Sequence, residues 1–258
     1  MIAVFDGIPA WRERRAADRR RGMTLGFVPT MGALHEGHLS LVERSRAEND
    51  RTLVSVFVNP TQFDDQADFD AYPRTDERDL ALLDSAGVDY VLIPRAAEIY
   101  ADGFRYRVSE TELSTVLEGV HRPGHFGGVL TVVLKLLNIA AADRAYFGEK
   151  DWQQLSLVRG MADAFFLPTT IVACPTIREC TGLALSSRNA RLTAPDRERA
   201  ATLHRVLTSA ATTDAAIDQL TDAGFAVDYV DDRDGRRLAA VRLRGVRLID
   251  NVPLPGAA

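Results

Sequence analysis

Two of the five histidines of this chain, His35 and His38, stand three residues apart in GFVPTMGALHEGHLSL (residues 26–41), just after a turn rich in glycine and proline. Residues three apart on a helix share a face, so both imidazoles can reach one group. The first turn of a helix leaves amide N–H groups without internal partners and carries partial positive charge, which suits phosphate. Gly37 keeps the backbone between the two rings bare, so a flat ring or a phosphate can come close. Other chemistries demand other spacings. A zinc-protease helix needs H-E-x-x-H, with the histidines four apart, whereas the run here is H-E-G-H. The phosphate loop G-x-x-x-x-G-K-[ST] and the dinucleotide signature G-x-G-x-x-G are both absent. The plain structural alternative is a pair of core histidines.

Such a turn needs a strand before it and a helix after it. Thr24 to Pro29 reads as a short buried strand and Leu39 to Asn49 as an amphipathic helix. Leu53 to Val58, Tyr90 to Pro94, Ala145 to Phe147 and Ile171 to Ala173 read as further strands. Helices are expected over Asp76 to Ser85, Gly128 to Ala140 and Trp152 to Ala164. Strands separated by helices of this length imply βαβ units, a parallel sheet and right-handed crossovers. In such a sheet, ligands bind beyond the carboxyl ends of the strands, where residues 29–38 fall. Beyond Pro175 the texture changes. Helices over Pro195 to Ala211 and Asp214 to Ala223 precede short strands at Val227–Val230, Arg237–Leu243 and Val246–Leu248, an α+β pattern with tight turns such as Asp234-Gly235.

Composition bounds the possible functions. Hydrophobic residues make up 46% of the 258 and charged residues 26%, values of a folded globular chain. A net charge of −5 predicts no general attraction to nucleic acid or anionic lipid. The basic run Arg12–Arg21 is interrupted by Glu13 and Asp18 and reads as a solvated helix face. The longest apolar run, Val129 to Ala142, is broken by Lys135 and is too short to span a bilayer. The opening MIAVFDG does not read as a signal peptide, and Cys174 and Cys180 form neither a disulfide framework nor a zinc spacing. A reducing cytoplasm is the expected setting. Among 31 basic residues only Lys135 and Lys150 are lysines. Lys135, inside an apolar helix, is expected to extend its ammonium to solvent.

H-x-G-H after a first strand resembles the nucleotidylyltransferase superfamily, whose members transfer AMP or CMP from a nucleoside triphosphate. They close a second loop carrying lysine or serine and arginine over the phosphates, and Leu185-Ser186-Ser187-Arg188 fits that loop. The resemblance narrows to one family. VPTMGALHEGH (28–38), VSVFVNPTQF (54–63), YPRT (72–75), GVLTVVLKLLNI (128–139), FGEKDWQQL (147–155), LSSRN (185–189) and RLIDN (247–251) look, in order, like the pantothenate synthetase (pantoate–β-alanine ligase) family. This resemblance implies an α/β fold: a Rossmann-like parallel-sheet domain over residues 1–176 and a smaller α+β C-terminal lid over 177–258, in a homodimer. It implies ATP-dependent joining of pantoate and β-alanine through pantoyl adenylate, with Mg2+ carried on the ATP phosphates. The broader alternative is another H-x-G-H enzyme that adenylates a small carboxylate.

The resemblance also assigns residues. Pro29, Thr30, Met31, Gly32, Ala33, Leu34, His35, Glu36, Gly37 and His38 would contact ATP, with His38 in the position of the family's proton donor. Gly148, Glu149, Lys150, Asp151, Ile177, Leu185, Ser186, Ser187 and Arg188 would complete the nucleotide site. Among them Lys150, Ser186, Ser187 and Arg188 would face phosphates and Ile177 the adenine. Gln62 and Gln154 match the pantoate positions, and Asn59, Arg122 and His125 match residues near phosphate or pantoate. Two departures stand out. Leu185 replaces the family's usual methionine, a volume-conserving exchange. Arg78 precedes Asp79 where the family commonly carries two acids linked to magnesium, so Asp79 alone remains as the expected metal ligand.

Overall fold

The computed structural model describes residues 2–64 and 66–256. It divides into two units: Met1–Gly148 with Gln153–Cys174, and Glu149–Trp152 with Pro175–Ala258. The sequence boundary at 176 assigned residues 149–152 to the first part; here they group with the second.

The first unit is built on strands β1 (Ala3–Phe5), β2 (Leu25–Thr30), β3 (Arg51–Val56), β4 (Tyr90–Leu92), β5 (Arg144–Gly148) and β6 (Thr170–Cys174). They form one parallel sheet in the order β1-β4-β3-β2-β5-β6. The linking helices are α1 (Ile8–Arg20), α2 (Glu36–Glu48), α3 (Gln66–Asp70), α4 (Asp76–Ser85), α5 (Ala96–Ile99), α6 (Glu118–His121), α7 (His125–Ala140) and α8 (Trp152–Ala164). Side chains alternate across a strand, so a sheet covered on both faces carries apolar residues of both parities. Val28, Val54 and Val91 join Leu41, Val42 and Leu83 of α2 and α4 in one cluster. Leu25, Phe27 and Leu53, of the opposite parity, are fully buried as well. Trp11 of α1 is also fully buried and donates its indole N–H to the Ile139 carbonyl of α7 at 2.9 Å.

The sequence reading missed β1 and under-read α1. Val4 and its neighbours make only a short edge strand, which carries little periodic signal. The basic face of α1 is not wholly solvated. Arg15 is 4% exposed and ties Met23 O, Ala141 O and the Asp143 carboxylate together.

The second unit has helices α9 (Ala194–Ala200), α10 (Thr202–Ser209) and α11 (Thr213–Asp222) with an antiparallel sheet of β7 (Ala226–Arg233), β8 (Arg236–Leu243) and β9 (Val246–Pro253). Its core joins Leu203, Leu207 and Leu220 to Val241 and Leu248. The single helix expected from 195 to 211 is divided at Ala201. Among the described residues no helix is long and apolar enough to cross a membrane.

Candidate active site

The strand order reverses direction at β2, whose neighbours are β3 and β5. Doubly wound sheets bind ligands at this switch, beyond the carboxyl ends of the strands. The loop leaving β2 there, Met31 to His35, turns sharply. Gly32 (φ +78°) and Ala33 (φ +51°) both take left-handed backbone. A Cβ on Gly32 would lie 3.1 Å from Asp79 Oδ2 and 3.2 Å from Val56 Cγ1, so glycine is needed for space as well as for φ.

Asp79 explains how the loop is held. Its carboxylate is 0% exposed and accepts the Ala33 N–H (2.7 Å), the Leu34 N–H (2.9 Å) and the Thr75 hydroxyl (3.0 Å). These donors occupy both oxygens and leave no open face, so Asp79 does not fit a magnesium ligand. In sequence, a lone acid at a family's metal position is indistinguishable from an acid that anchors a loop, and Asp79 anchors this one.

His35 is not inside α2; it is the residue that caps the helix, with extended backbone. Its Nδ1 accepts the Gly37 N–H at 3.1 Å, and the His38 Nδ1 accepts the His35 N–H at 3.3 Å. A ring nitrogen that accepts an amide N–H carries no proton, so in each neutral ring the hydrogen sits on Nε2. The two rings lie with centroids 4.1 Å apart, both half-buried. The capping bonds thus orient two N–H donors at the amino end of a helix, where an anionic ligand is favoured.

A second loop of the same unit follows β3. Asn59 caps a short 3-10 turn, Pro60–Gln62, whose close approach to α7 requires Gly128: a Cβ there would sit 2.1 Å from Thr61 O. The Gln62 carbonyl is held by His125 Nδ1 at 2.8 Å and by Arg122 at 3.3 Å. Arg122 also pairs with Asp64 at 3.0 Å and contacts His125 Nε2 at 3.1 Å. Burial, and then the Arg122 cation beside it, push the His125 pKa down to about 4. His125 is therefore neutral with its proton on Nδ1, the opposite tautomer from His35 and His38. The Gln62 amide reaches Met31 Sδ at 3.1 Å, which joins this turn to the histidine loop. Gln154 is half-exposed on α8, whereas its neighbour Gln153 is buried and braces residues 113–118 through Leu113 O, Val116 O and the Glu118 N–H.

In the second unit, Glu149–Asp151 forms a short 3-10 turn. Asn251 of β9 donates to both Glu149 O and Lys150 O at 2.9 Å. Arg236 pairs with Glu149 at 3.5 Å and lies 4.3 Å from the Trp152 ring centroid. The Lys150 ammonium is 3.6 Å from Asp151. Ile177 and Leu185, both assigned to the nucleotide, are joined in a hairpin by the Leu185 N–H to Ile177 O bond at 2.9 Å. Arg178 grips the buried Asp250 with two bonds of 2.6 and 2.8 Å. Ser186 caps the turn through the Arg188 N–H at 3.3 Å, and buried Asn189 donates to Ala184 O at 3.0 Å. Asp250, Asn251 and Asn189 were visible in sequence only as letters of RLIDN and LSSRN. Their work is to hold loops, which no local pattern reveals.

The chain matches the family model for pantoate-beta-alanine ligase over residues 3–253. It is 50% identical over 245 residues to a pantothenate synthetase of Bdellovibrio bacteriovorus, covering 95% of each chain. It is 49% identical to that of Cereibacter sphaeroides, covering 98% of this chain and 100% of the other. A crystal structure of the Francisella tularensis pantoate-beta-alanine ligase complexed with beta-gamma ATP and beta-alanine superimposes with a TM-score of 0.93 at 39% identity, covering 98% of both chains. The Thermus thermophilus pantothenate synthetase gives a TM-score of 0.89 at 42% identity, covering 98% of this chain and 100% of that one. A parallel sheet with a capped histidine pair at its switch point, matched from end to end in sequence and structure, places this chain in the pantoate–β-alanine ligase family.

Proposed function

We propose that the residues described above divide the work of one reaction, the ATP-dependent condensation of pantoate with β-alanine through pantoyl adenylate. The overall reaction follows from family: the chain is a ligase that uses ATP as substrate. A carboxylate does not react with an amine until one of its oxygens becomes part of a leaving group. The pantoate carboxylate attacks the α-phosphorus in line, and pyrophosphate departs. The β-alanine amine then attacks the acyl carbon of the adenylate, and AMP departs. The first step needs placement and charge neutralisation more than covalent help. His35 and His38 donate from Nε2 to the phosphates. Lys150, Ser186, Ser187 and Arg188 neutralise charge there, Ile177 lies against the adenine, and Gln62 and Gln154 hold pantoate. ATP arrives as its magnesium complex, the ion carried by phosphate and water, because Asp79 has no face to offer it. The enzyme acts as a homodimer in the cytoplasm; sedimentation should then give twice the chain's 28.4 kDa.

The observation that carries this reading is the pair of backbone bonds to Nδ1 of His35 and His38, which turns both Nε2–H groups into donors. The test is isotope exchange between pyrophosphate and ATP without β-alanine. Exchange should require pantoate, and His38→Ala should abolish it while aminolysis of preformed pantoyl adenylate suffers far less, since no phosphoryl charge develops there. Equal loss in both steps would reduce His38 to a nucleotide-positioning residue. Exchange with another carboxylate but not pantoate would give the chain a different substrate.

A further inference from the structure

An amide side chain has two nearly isosteric ends, and its partners decide which is presented. Asn59 is 1% exposed and its orientation is forced. Its Oδ1 accepts the Thr61 backbone N–H at 3.3 Å, a group that can only donate. Its Nδ2 faces the Gly128 carbonyl at 3.4 Å, a group that can only accept. The Thr61 hydroxyl (3.0 Å) and the Tyr100 hydroxyl (2.6 Å) also donate to Oδ1. Burial raises the Tyr100 pKa, which keeps its phenol a donor. Tyr100 is itself fixed: Lys135 Nζ lies 5.1 Å from its ring centroid, tethered to Ile99 O at 2.9 Å and Asp102 at 2.6 Å.

The consequence passes to Gln62. Asn59 Nδ2 donates to Gln62 Oε1 at 3.0 Å, so Gln62 must turn its oxygen inward and its NH2 outward. Among the described residues the outward nitrogen donates to Met31 Sδ at 3.1 Å, a weak acceptor. We propose that Asn59, backed by Tyr100, is a positioning residue that sets the Gln62 amide so that the site presents N–H donors and selects a substrate group bearing lone pairs, a carboxylate or hydroxyl oxygen. This deepens the reading above and rests on Gln62 meeting pantoate. Asn59→Asp removes the inward donor; Gln62 then turns its NH2 to the new carboxylate and shows pantoate an oxygen instead.

The test is the KM for pantoate and for ATP in pyrophosphate exchange, for the wild type, Asn59→Asp, Tyr100→Phe and Gln62→Ala, and for Asn59→Asp and Tyr100→Phe each combined with Gln62→Ala. We expect Asn59→Asp to raise the pantoate KM by about tenfold or more, and uncharged Tyr100→Phe to raise it about threefold. The ATP KM should stay within about twofold. In the Gln62→Ala background neither change should add to the loss, because residues acting through one group are not additive. A rise that persists without Gln62, or one shared equally by ATP, overturns the proposal. A pantoate KM untouched by Gln62→Ala itself removes the pantoate reading of Gln62, and the proposal with it. Should Asn59→Asp fail to fold, Tyr100→Phe carries the same comparison alone.

Discussion

Three histidines in the first unit show how backbone partners set side-chain chemistry. His35 and His38 accept amide hydrogens at Nδ1 and hold their protons on Nε2; His125 donates from Nδ1 to Gln62 O and holds Arg122 at Nε2. Residue type is the same, and the hydrogen bond to the other ring nitrogen makes the difference. Of the two lysines, Lys135 departs from expectation. Lys135 does not send its head into water; it ties Ile99 O to Asp102 and lies against Tyr100, so it is no neutral control for charge-conserving substitution. Lys150 is half-buried, with its ammonium 3.6 Å from Asp151. Lys150→Arg should therefore cost adenylation heavily, on the order of a hundredfold in exchange rate, because a planar fork displaces the charge by about 1 Å. Wild-type exchange in that variant would remove Lys150 from the phosphate site.

At the scale of elements, the site depends on loops held from behind. Asp79, at the start of α4, satisfies two amides of the histidine loop, which no strand or helix satisfies. Asp79→Asn leaves one amide N–H facing an NH2 group, a loss of about 1–3 kcal/mol in a buried site. Activity should fall while the magnesium concentration for half-maximal exchange stays that of the wild type. A large rise in that concentration, or rescue by manganese, would return Asp79 to the metal. Gly128 is the corresponding point on α7. Alanine is the better helix former, yet Gly128→Ala places a Cβ against Thr61 O. The substitution should destabilise the first unit by about 1–3 kcal/mol in urea unfolding and raise the pantoate KM. A stabilised variant with unchanged KM would show that the turn yields without cost.

At the scale of the whole molecule, acid stability has an identifiable contributor. The folded-state pKa of His125 is about 4, below the ordinary 6.5, so the unfolded chain takes up this proton first as pH falls. Its contribution is complete above about pH 6.5, declines from there to about pH 4 and is flat below, a loss of at most about 3 kcal/mol. Urea unfolding at about pH 7 and about pH 4.5 should show this loss in the wild type. His125→Asn, which keeps a donor for Gln62 O but does not titrate, should lose less between the two. Equal pH dependence in both proteins would assign the acid lability to other groups.

The sequence by itself determined the parallel α/β sheet, the α+β texture after Pro175 and the residues of the H-x-G-H and L-S-S-R loops. Hydrophobic periodicity and helix-capping chemistry act over a few neighbours, so they can be read along the chain. The order of blocks from 28 to 251 likewise carried the family. Only the tertiary structure decided what holds those loops. Asp79 meets residues 33 and 34 from far along the chain, Tyr100 reaches Asn59, and Asn251 reaches residues 149 and 150. The same carboxylate, phenol or amide in sequence fits a surface, a ligand site or a brace equally well. Which it becomes is set by the donors and acceptors that folding places around it, since buried polar groups must find partners wherever the fold supplies them.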